Sequence, residues 1–492
     1  MSNNSNTVQA FWIALGSLFS FGFAIVSSMI LSRYFPKEDY GTYKQVLYVY
    51  TTLLTVFTLG LPKAFSFFLP RVENNQSKDL IKKITNIFFI LGGFFSVFLF
   101  LFASQIAIFL KNPDLTLALK IFSPVPFLML PTMGLEGILA TFRKTKFLAM
   151  YDVITRLFML FCVAIPVVFF DGGYIEAIIG FVIASFVSFL LALYFKYYPV
   201  KKYGNEKCNI SYKEIFKFSL PLLYASLWGI IISSADQFFI SRYFGSKVFA
   251  EFSNGAMELP FVGMIVGATS TVFSPIFSRM SHEKLDPQKE IFPIWKSVFE
   301  KSALLIYPLV IYFWFFADVL MVVLYGQQYE ASSVYFKIKV IINFFNIIAF
   351  APLIINIGKV KYYSDVHMYG ALILIILEYL SILIFNSPYA ISVVSLVCQI
   401  GRIFFMLFMV ANFFNMKIYQ LFQLGLIFKI IFPSVVILFL EYHILTYYFQ
   451  FNHVLTLLVS FPIYGVVFCL FSILIKLDYL IIIEPLFQKL KK

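Results

Sequence analysis

Charge is what this chain has least of. Only 13% of its 492 residues are Asp, Glu, Lys or Arg, against about a quarter in a soluble globular domain. Cysteine is scarcer still. Cys162, Cys208, Cys398 and Cys469 stand far apart, with no CxxC and no metal spacing, so a disulfide scaffold and a zinc module are excluded. Four His residues without clustered carboxylates add no metal signature. Neither GxxxxGKS nor GxxxxGKT occurs, which removes nucleotide hydrolysis through a P-loop. No Lys or Arg precedes the first apolar run, and that run is too long for the core of a signal peptide, so it reads as a retained helix.

Apolar side chains take the place of the missing charge. They make up 61% of the chain, mean hydropathy is +0.87, and 64 Phe, 30 Tyr and 4 Trp suit lipid-facing surfaces and interfacial belts. Windows of about 20 apolar residues predict fourteen transmembrane helices. They lie near 8–32, 45–68, 84–110, 121–142, 147–170, 174–195, 218–240, 252–275, 302–324, 336–358, 366–386, 388–412, 424–448 and 453–475. The fold class is therefore an all-α polytopic membrane protein.

The excess of 38 Lys and Arg over 25 Asp and Glu would suggest nucleic acid in a soluble protein. Here the basic residues lie mostly between apolar runs and read as loops facing the cytoplasm and an anionic leaflet, with no nucleic-acid partner. With the N-terminus inside, the cytoplasmic segments hold 28 of them, among them Lys78, Lys82, Lys83, Arg143, Lys144 and Lys146. Arg279, Lys284, Lys289, and Lys489, Lys491 and Lys492 at the C-terminus belong to the same set. Nine fall on the other side, including Arg33, Lys37, Arg242 and Lys337. Both termini are expected in the cytoplasm. No loop is long enough for a separate domain, which counts against an intramembrane polymerase or glycosyltransferase.

A repeat organises the helices. Ser32-Arg33-Tyr34-Phe35 ends the first and Ser241-Arg242-Tyr243-Phe244 the seventh. At the same offset, Ser17, Ser20, Ala24 and Ser27 fall on Ser226, Gly229, Ser233 and Asp236. Steps of three and four place each set on one helix face. An even number of intervening helices gives both copies the same orientation, a parallel repeat about an axis along the membrane normal. The expected organisation is an N-terminal lobe at 1–195, a connector at 196–217 and a C-terminal lobe at 218–412. Residues 413–492 add two helices and a basic tail. The plainer reading of the stripes is that small residues let helices pack closely.

Leu31 to Gly41, LSRYFPKEDYG, followed by Gly60-Leu61-Pro62, resembles the opening of the polysaccharide-export, O-antigen flippase-like family of the multidrug/oligosaccharidyl-lipid/polysaccharide exporter superfamily. SADQFFISRYFG at 234–245 is similar to the second-half element. The resemblance implies a two-lobed, alternating-access transporter of the bacterial cytoplasmic membrane. It would turn undecaprenyl-diphosphate-linked oligosaccharide (O-antigen, capsule or exopolysaccharide units) to the outer leaflet. It implies no cofactor beyond possible H⁺ or Na⁺ coupling, and other polysaccharide-assembly membrane proteins as partners.

Ionisable residues at bilayer depth pair with one another or face a cavity. Glu136 and Arg156 are expected at similar depth on adjacent helices, with Asp152 a competing partner on the arginine's own helix. Glu378, twelve residues into a helix from 366, and Arg402, ten from the end of a helix at 412, are expected level with each other. Either both sets are structural ion pairs, or Arg156 and Arg402 bind the diphosphate through a bidentate guanidinium. Lys63 either reaches a headgroup or snorkels to the interface. Asp236 is the leading proton or sodium site unless it pairs with Arg242; Glu136, Glu378 and, more weakly, Glu258 are further carboxylates for coupling. Pro124, Pro126, Pro131, Pro221 and Pro260 are expected to bend helices. Asn343 and Asn346 are expected one turn apart on a tenth helix, hydrogen-bonding across helices rather than binding sugar. The alternatives to a flippase are a multidrug or cation antiporter of the same architecture, which would need an acidic aromatic cavity, and less readily a membrane polymerase.

Overall fold

The computed structural model describes residues 6–477 except 268, 271–276, 278–282, 284–285 and 349, together with residue 479. Arg279, Lys284, Lys489, Lys491 and Lys492, and part of the expected helix 252–275, lie outside the described residues. Among those described the chain is helical, with no strand, and twelve helices are long and apolar enough to cross a membrane. The fourteen expected crossings are not all seen as continuous helices. The stretch 336–358 divides into Ser332–Val340, a 3₁₀ turn Ile341–Phe344, a non-helical break and Phe350–Asn356. Asn343 and Asn346 therefore do not stack on one α-helical face.

Two compact units meet after Glu251. The first contains α1 (Asn6–Tyr34), α2 (Lys37–Phe57), α3 (Pro62–Phe68) and α4 (Ser77–Phe109). Next come α5 (Leu115–Phe122), α6 (Pro124–Met129) and α7 (Leu135–Thr141), the pieces of one crossing. Pro124, Pro126 and Pro131 cut that crossing by removing backbone donors, as expected, and Gly134 at φ +79 completes the break. α8 (Thr145–Phe169), α9 (Tyr174–Tyr197) and most of α10 (Tyr212–Gly255) finish the unit.

Close approach of backbones holds these helices together, as expected where lipid offers no hydrophobic drive for helix pairing. A Cβ on Gly16 of α1 would sit 3.1 Å from Ala149 Cα of α8, and one on Gly92 of α4 would sit 3.0 Å from the Pro126 carbonyl. Gly180 of α9 presses on the backbone at Cys162 of α8. Leu135, Leu139, Leu148, Tyr151, Ala192 and Phe195 form a core between α7, α8 and α9.

Polar networks close both ends of this unit. At one end, Gln45 donates to Ser241 Oγ at 2.8 Å, while Asn112 donates to Gln45 Oε1 at 2.5 Å and to Thr42 Oγ1 at 2.9 Å. Lys37 pairs with Glu251, and Arg242 donates to the Phe109 carbonyl. Gly245, at φ +80, interrupts α10 just past this network, and Gly41 lies against the Ser246 backbone. The helix from Tyr212 is thereby sewn to α2, so the contact boundary lies one helix beyond the 196–217 connector. At the opposite end the connector docks on α4: Cys208 N–H donates to Asp79 at 2.9 Å, and Lys83 donates to the Cys208 carbonyl at 2.7 Å.

The second unit begins with a helical stretch at 260–267. Pro260 starts that stretch rather than bending it, as suits a residue without an N–H. α11 (Phe292–Phe315), α12 (Ala317–Tyr325), α13 (Ser332–Val340) and α14 (Phe350–Asn356) follow. α15 (Val360–Phe385) and α16 (Pro388–Phe413) form a tight hairpin, with Asn386 at φ +44 in the turn. α17 (Leu424–His443) and α18 (His453–Leu474) pack on α11 and α12.

Tyrosines fasten α18 and the residues after it to α11. Tyr312 OH lies 2.8 Å from Ser460 Oγ, and Tyr464 OH donates to the Pro308 carbonyl at 3.2 Å. Pro308 lacks the N–H that would bond the Leu304 carbonyl four residues back. Tyr479 OH supplies the missing donor at 3.1 Å. Tyr479→Phe should destabilise this unit by about 1 kcal/mol, measured by thermal unfolding in detergent. Pro308→Ala, which restores the internal donor, should shrink that loss in the double mutant; additive losses would show that the tyrosine acts otherwise.

Candidate functional site

Chemistry-bearing side chains gather separately in each unit. In the first, Arg156 and Glu136 are exposed and Asp152 is half-buried. Arg156 lies within electrostatic range of Asp152, Tyr50 and Tyr151, and Asp152 within range of Glu136. No ion pair within 4.0 Å joins Arg156 to either carboxylate among the described residues. The expected Glu136–Arg156 pair fails because Glu136 does not ride on a continuous helix. It stands in the first turn of short α7, just after the left-handed Gly134, so counting helical rise from Arg143 misplaces it. Arg156 is thus a cation held near carboxylates without being neutralised by contact.

Lys63 is exposed on α3, after Leu59 and Gly60 turn the chain at positive φ. Asp236 is buried and accepts from the Gln237 N–H at 2.9 Å. Its suggested pairing with Arg242 does not occur, because that guanidinium is spent on the Phe109 carbonyl and ring. Glu258 is exposed in the turn before Pro260. The small-residue stripes are not the packing surfaces. Ser17, Ala24, Ser226, Gly229 and Ser233 are exposed, nothing stands within 4 Å of a Cβ built on Gly229, and α1 uses Gly16 to meet α8.

One cation escaped the sequence reading. Lys196, the first residue of the expected 196–217 connector, is fully buried at the end of α9. Its Nζ has no hydrogen-bond acceptor among the described residues and lies 4.8 Å from the Phe65 ring centre and 5.6 Å from that of Phe88. The four-residue run Ala184, Ser188, Ala192, Lys196, buried throughout, was the legible signal.

In the second unit Arg402 lines a cavity of about 310 Å³ together with Tyr363, His367, Gln399, Asn346 and Phe350, and with no carboxylate among the described residues. The guanidinium makes no hydrogen bond or ion pair to protein among the described residues, and its Nε is buried. The predicted partner Glu378 is fully buried elsewhere, within electrostatic range of Cys398. Register is the reason. α15 starts at Val360 and α16 ends at Phe413, which puts Glu378 about 18 residues from one end and Arg402 about 11 from the matching end. At 1.5 Å per residue the depths differ by about 10 Å. A Cβ on Gly370 would meet Arg402 Cδ at 3.4 Å, so the arginine is level with Gly370.

Twelve apolar crossings, two compact units and polar side chains held at bilayer depth define a multi-pass membrane protein of a transporter-type fold. Residues 30–334 match the family model described as polysaccharide biosynthesis protein, and the chain belongs to that family. It is 23% identical over 362 residues to a Shigella flexneri protein named for O-antigen transport, covering 70% of this chain and 83% of that one. Among solved structures it is similar to the lipid II flippase MurJ in an inward closed conformation. That match has a TM-score of 0.73 at 16% identity and covers 96% of this chain and 99% of the other. It is also similar to an inward-facing multidrug resistance transporter of the MATE family, with a TM-score of 0.63 at 12% identity and coverage of 83% and 99%. These folds are of flippase and transporter type rather than enzyme type, and the expected architecture stands; the count of fourteen crossings is not fixed.

Lys196 tests how the first unit tolerates a buried cation. Lys196→Met keeps the length and removes the charge, and should leave the thermal midpoint unchanged or raised. Lys196→Glu should lower protein yield and the thermal midpoint sharply, because the ring faces repel a carboxylate. Equal behaviour of the two variants would mean the side chain is not held against the rings.

Proposed function

We propose that the protein is a flippase moving undecaprenyl-diphosphate-linked oligosaccharide, an O-antigen, capsule or exopolysaccharide repeat unit, across the bacterial cytoplasmic membrane. The observation that carries the reading is the family match joined to the extent of the fold likeness. Similarity to the lipid flippase runs over 96% of the chain, whereas similarity to the multidrug transporter covers 83%. The cation-lined cavity without a carboxylate favours anionic cargo over the organic cations of an antiporter.

The mechanism is alternating access of two six-helix lobes, 1–195 and 218–412, related by the parallel repeat, with 413–492 as an added helix pair. Both termini face the cytoplasm. Arg156 and Lys63, exposed cations of the first unit, are the candidates for the diphosphate. A guanidinium suits the phosphate oxygens because its donors lie in a planar fork. Asp236, Glu136, Glu378 and Glu258 are the candidates for proton or sodium coupling. Other membrane proteins of polysaccharide assembly would supply and receive the cargo.

Translocation of a labelled polyprenyl-diphosphate oligosaccharide in proteoliposomes tests this. Wild type should move it; Arg156→Ala should slow it about tenfold or more, the loss of one charge-assisted contact, and Lys63→Ala less. Asp236→Asn should remove dependence on an imposed ion gradient without unfolding the protein. Gradient-driven efflux of organic cations without lipid movement would establish the antiporter instead.

A further inference from the structure

Arg402 is a permanent cation that the protein itself does not satisfy. A guanidinium has five donors and no acceptor function, and at membrane depth such a group normally pairs or faces a cavity. Here it lines a cavity and donates to nothing among the described residues. The described residues that line the cavity with it include no carboxylate, Lys or second Arg. Gln399 and Asn346 each carry an amide that both donates and accepts, and Tyr363 packs against His367 at a tilt of 39°, ring centres 4.3 Å apart. His367 Nδ1 is tied to the Tyr363 carbonyl at 2.9 Å, and Gln399 is braced by Ser395 Oγ at 3.2 Å. The aromatic pair and the amide are thus set in place before any ligand arrives.

This composition discriminates between anions. One permanent positive charge matches one negative charge, whereas a diphosphate carries more and is matched by several cations. Amide side chains and an aromatic face are the groups that meet sugar hydroxyls and the C–H face of a pyranose ring. The volume, about 310 Å³, lies at the small end of ligand pockets, roughly 300–1,000 Å³, and admits one ring rather than a repeat unit. We infer that the second-unit cavity is a recognition site for a single carboxylate-bearing sugar, with Arg402 forked on the carboxylate and Gln399 and Asn346 on the hydroxyls. That the sugar belongs to the transported glycan rests on the flippase reading; the site itself does not. In that role the cavity selects cargo by its acidic sugar, while Arg156 and Lys63 remain the candidates for the diphosphate.

Saturation-transfer NMR of methyl glucuronoside with the full-length protein in nanodiscs tests the site without transport. The wild type should show saturation of the ring protons, methyl glucoside at equal concentration should show at least tenfold less, and pyrophosphate should displace the glucuronoside poorly. Arg402→Gln should abolish the signal, Arg402→Lys should retain a weakened one, Gln399→Ala should weaken it severalfold, and Arg156→Gln should leave it unchanged. Thermal midpoints separate lost binding from lost folding; should Arg402→Gln not fold, Gln399→Ala and the glucoside comparison carry the test. Displacement by pyrophosphate at lower concentration than by free glucuronoside would assign the cavity to phosphate and overturn the inference, as would a signal indifferent to Arg402, or none. Translocation without glucuronoside binding retires the sugar site alone; glucuronoside binding without translocation retires the flippase and leaves the site.

Discussion

A helix in hydrocarbon has no water to complete its hydrogen bonds, so every backbone group freed by a break must find a partner inside the protein. Much of this structure follows from that constraint. Pro308 frees the Leu304 carbonyl, and Tyr479, more than 170 positions along the chain, returns to satisfy it. The turn after α4 presents the Phe109 carbonyl, and Arg242 of α10 takes it. Long-range contacts of this kind join helices that apolar packing alone would leave free to slide, since lipid tails are as apolar as leucine.

The same constraint sorts the charges. Lys37 with Glu251, Lys83 with Asp79 and Lys337 with Asp318 neutralise one another near helix ends, where they pin loops and terminal turns. Lys196 is handled differently, its side-chain nitrogen set over two phenylalanine faces with no acid paired to it among the described residues. Arg402 has neither solution. A cation left unbalanced at the edge of a cavity lined by amides and rings is the arrangement that a bound anion would complete.

Several features were legible in the residues. The proline-rich stretch 124–131 announced a bend, and the structure goes further, dividing the crossing into α5, α6 and α7. The small-residue stripes on α1 and α10 were legible as faces, and Ser17, Ala24, Ser226, Gly229 and Ser233 stay exposed while Gly16 does the packing. Asn343 and Asn346 misled, because periodicity assumed an α-helix where the backbone tightens to 3₁₀ and then opens. The residues around Arg402 carried no signal at all: Tyr363, His367 and Gln399 are ordinary members of two apolar helices until the hairpin brings them together.

The sequence by itself determined the solvent, the helical class and the family likeness, because the length of an apolar run and the identity of a short motif are local properties. Tertiary structure alone decided which charges meet. Partner choice depends on register between helices and on rotation about their axes. Both are set by where a turn closes and where a helix begins, as at Asn386, Val360 and Gly134. Depth reckoned from a misplaced end carried Glu378 about 10 Å toward an arginine it does not touch.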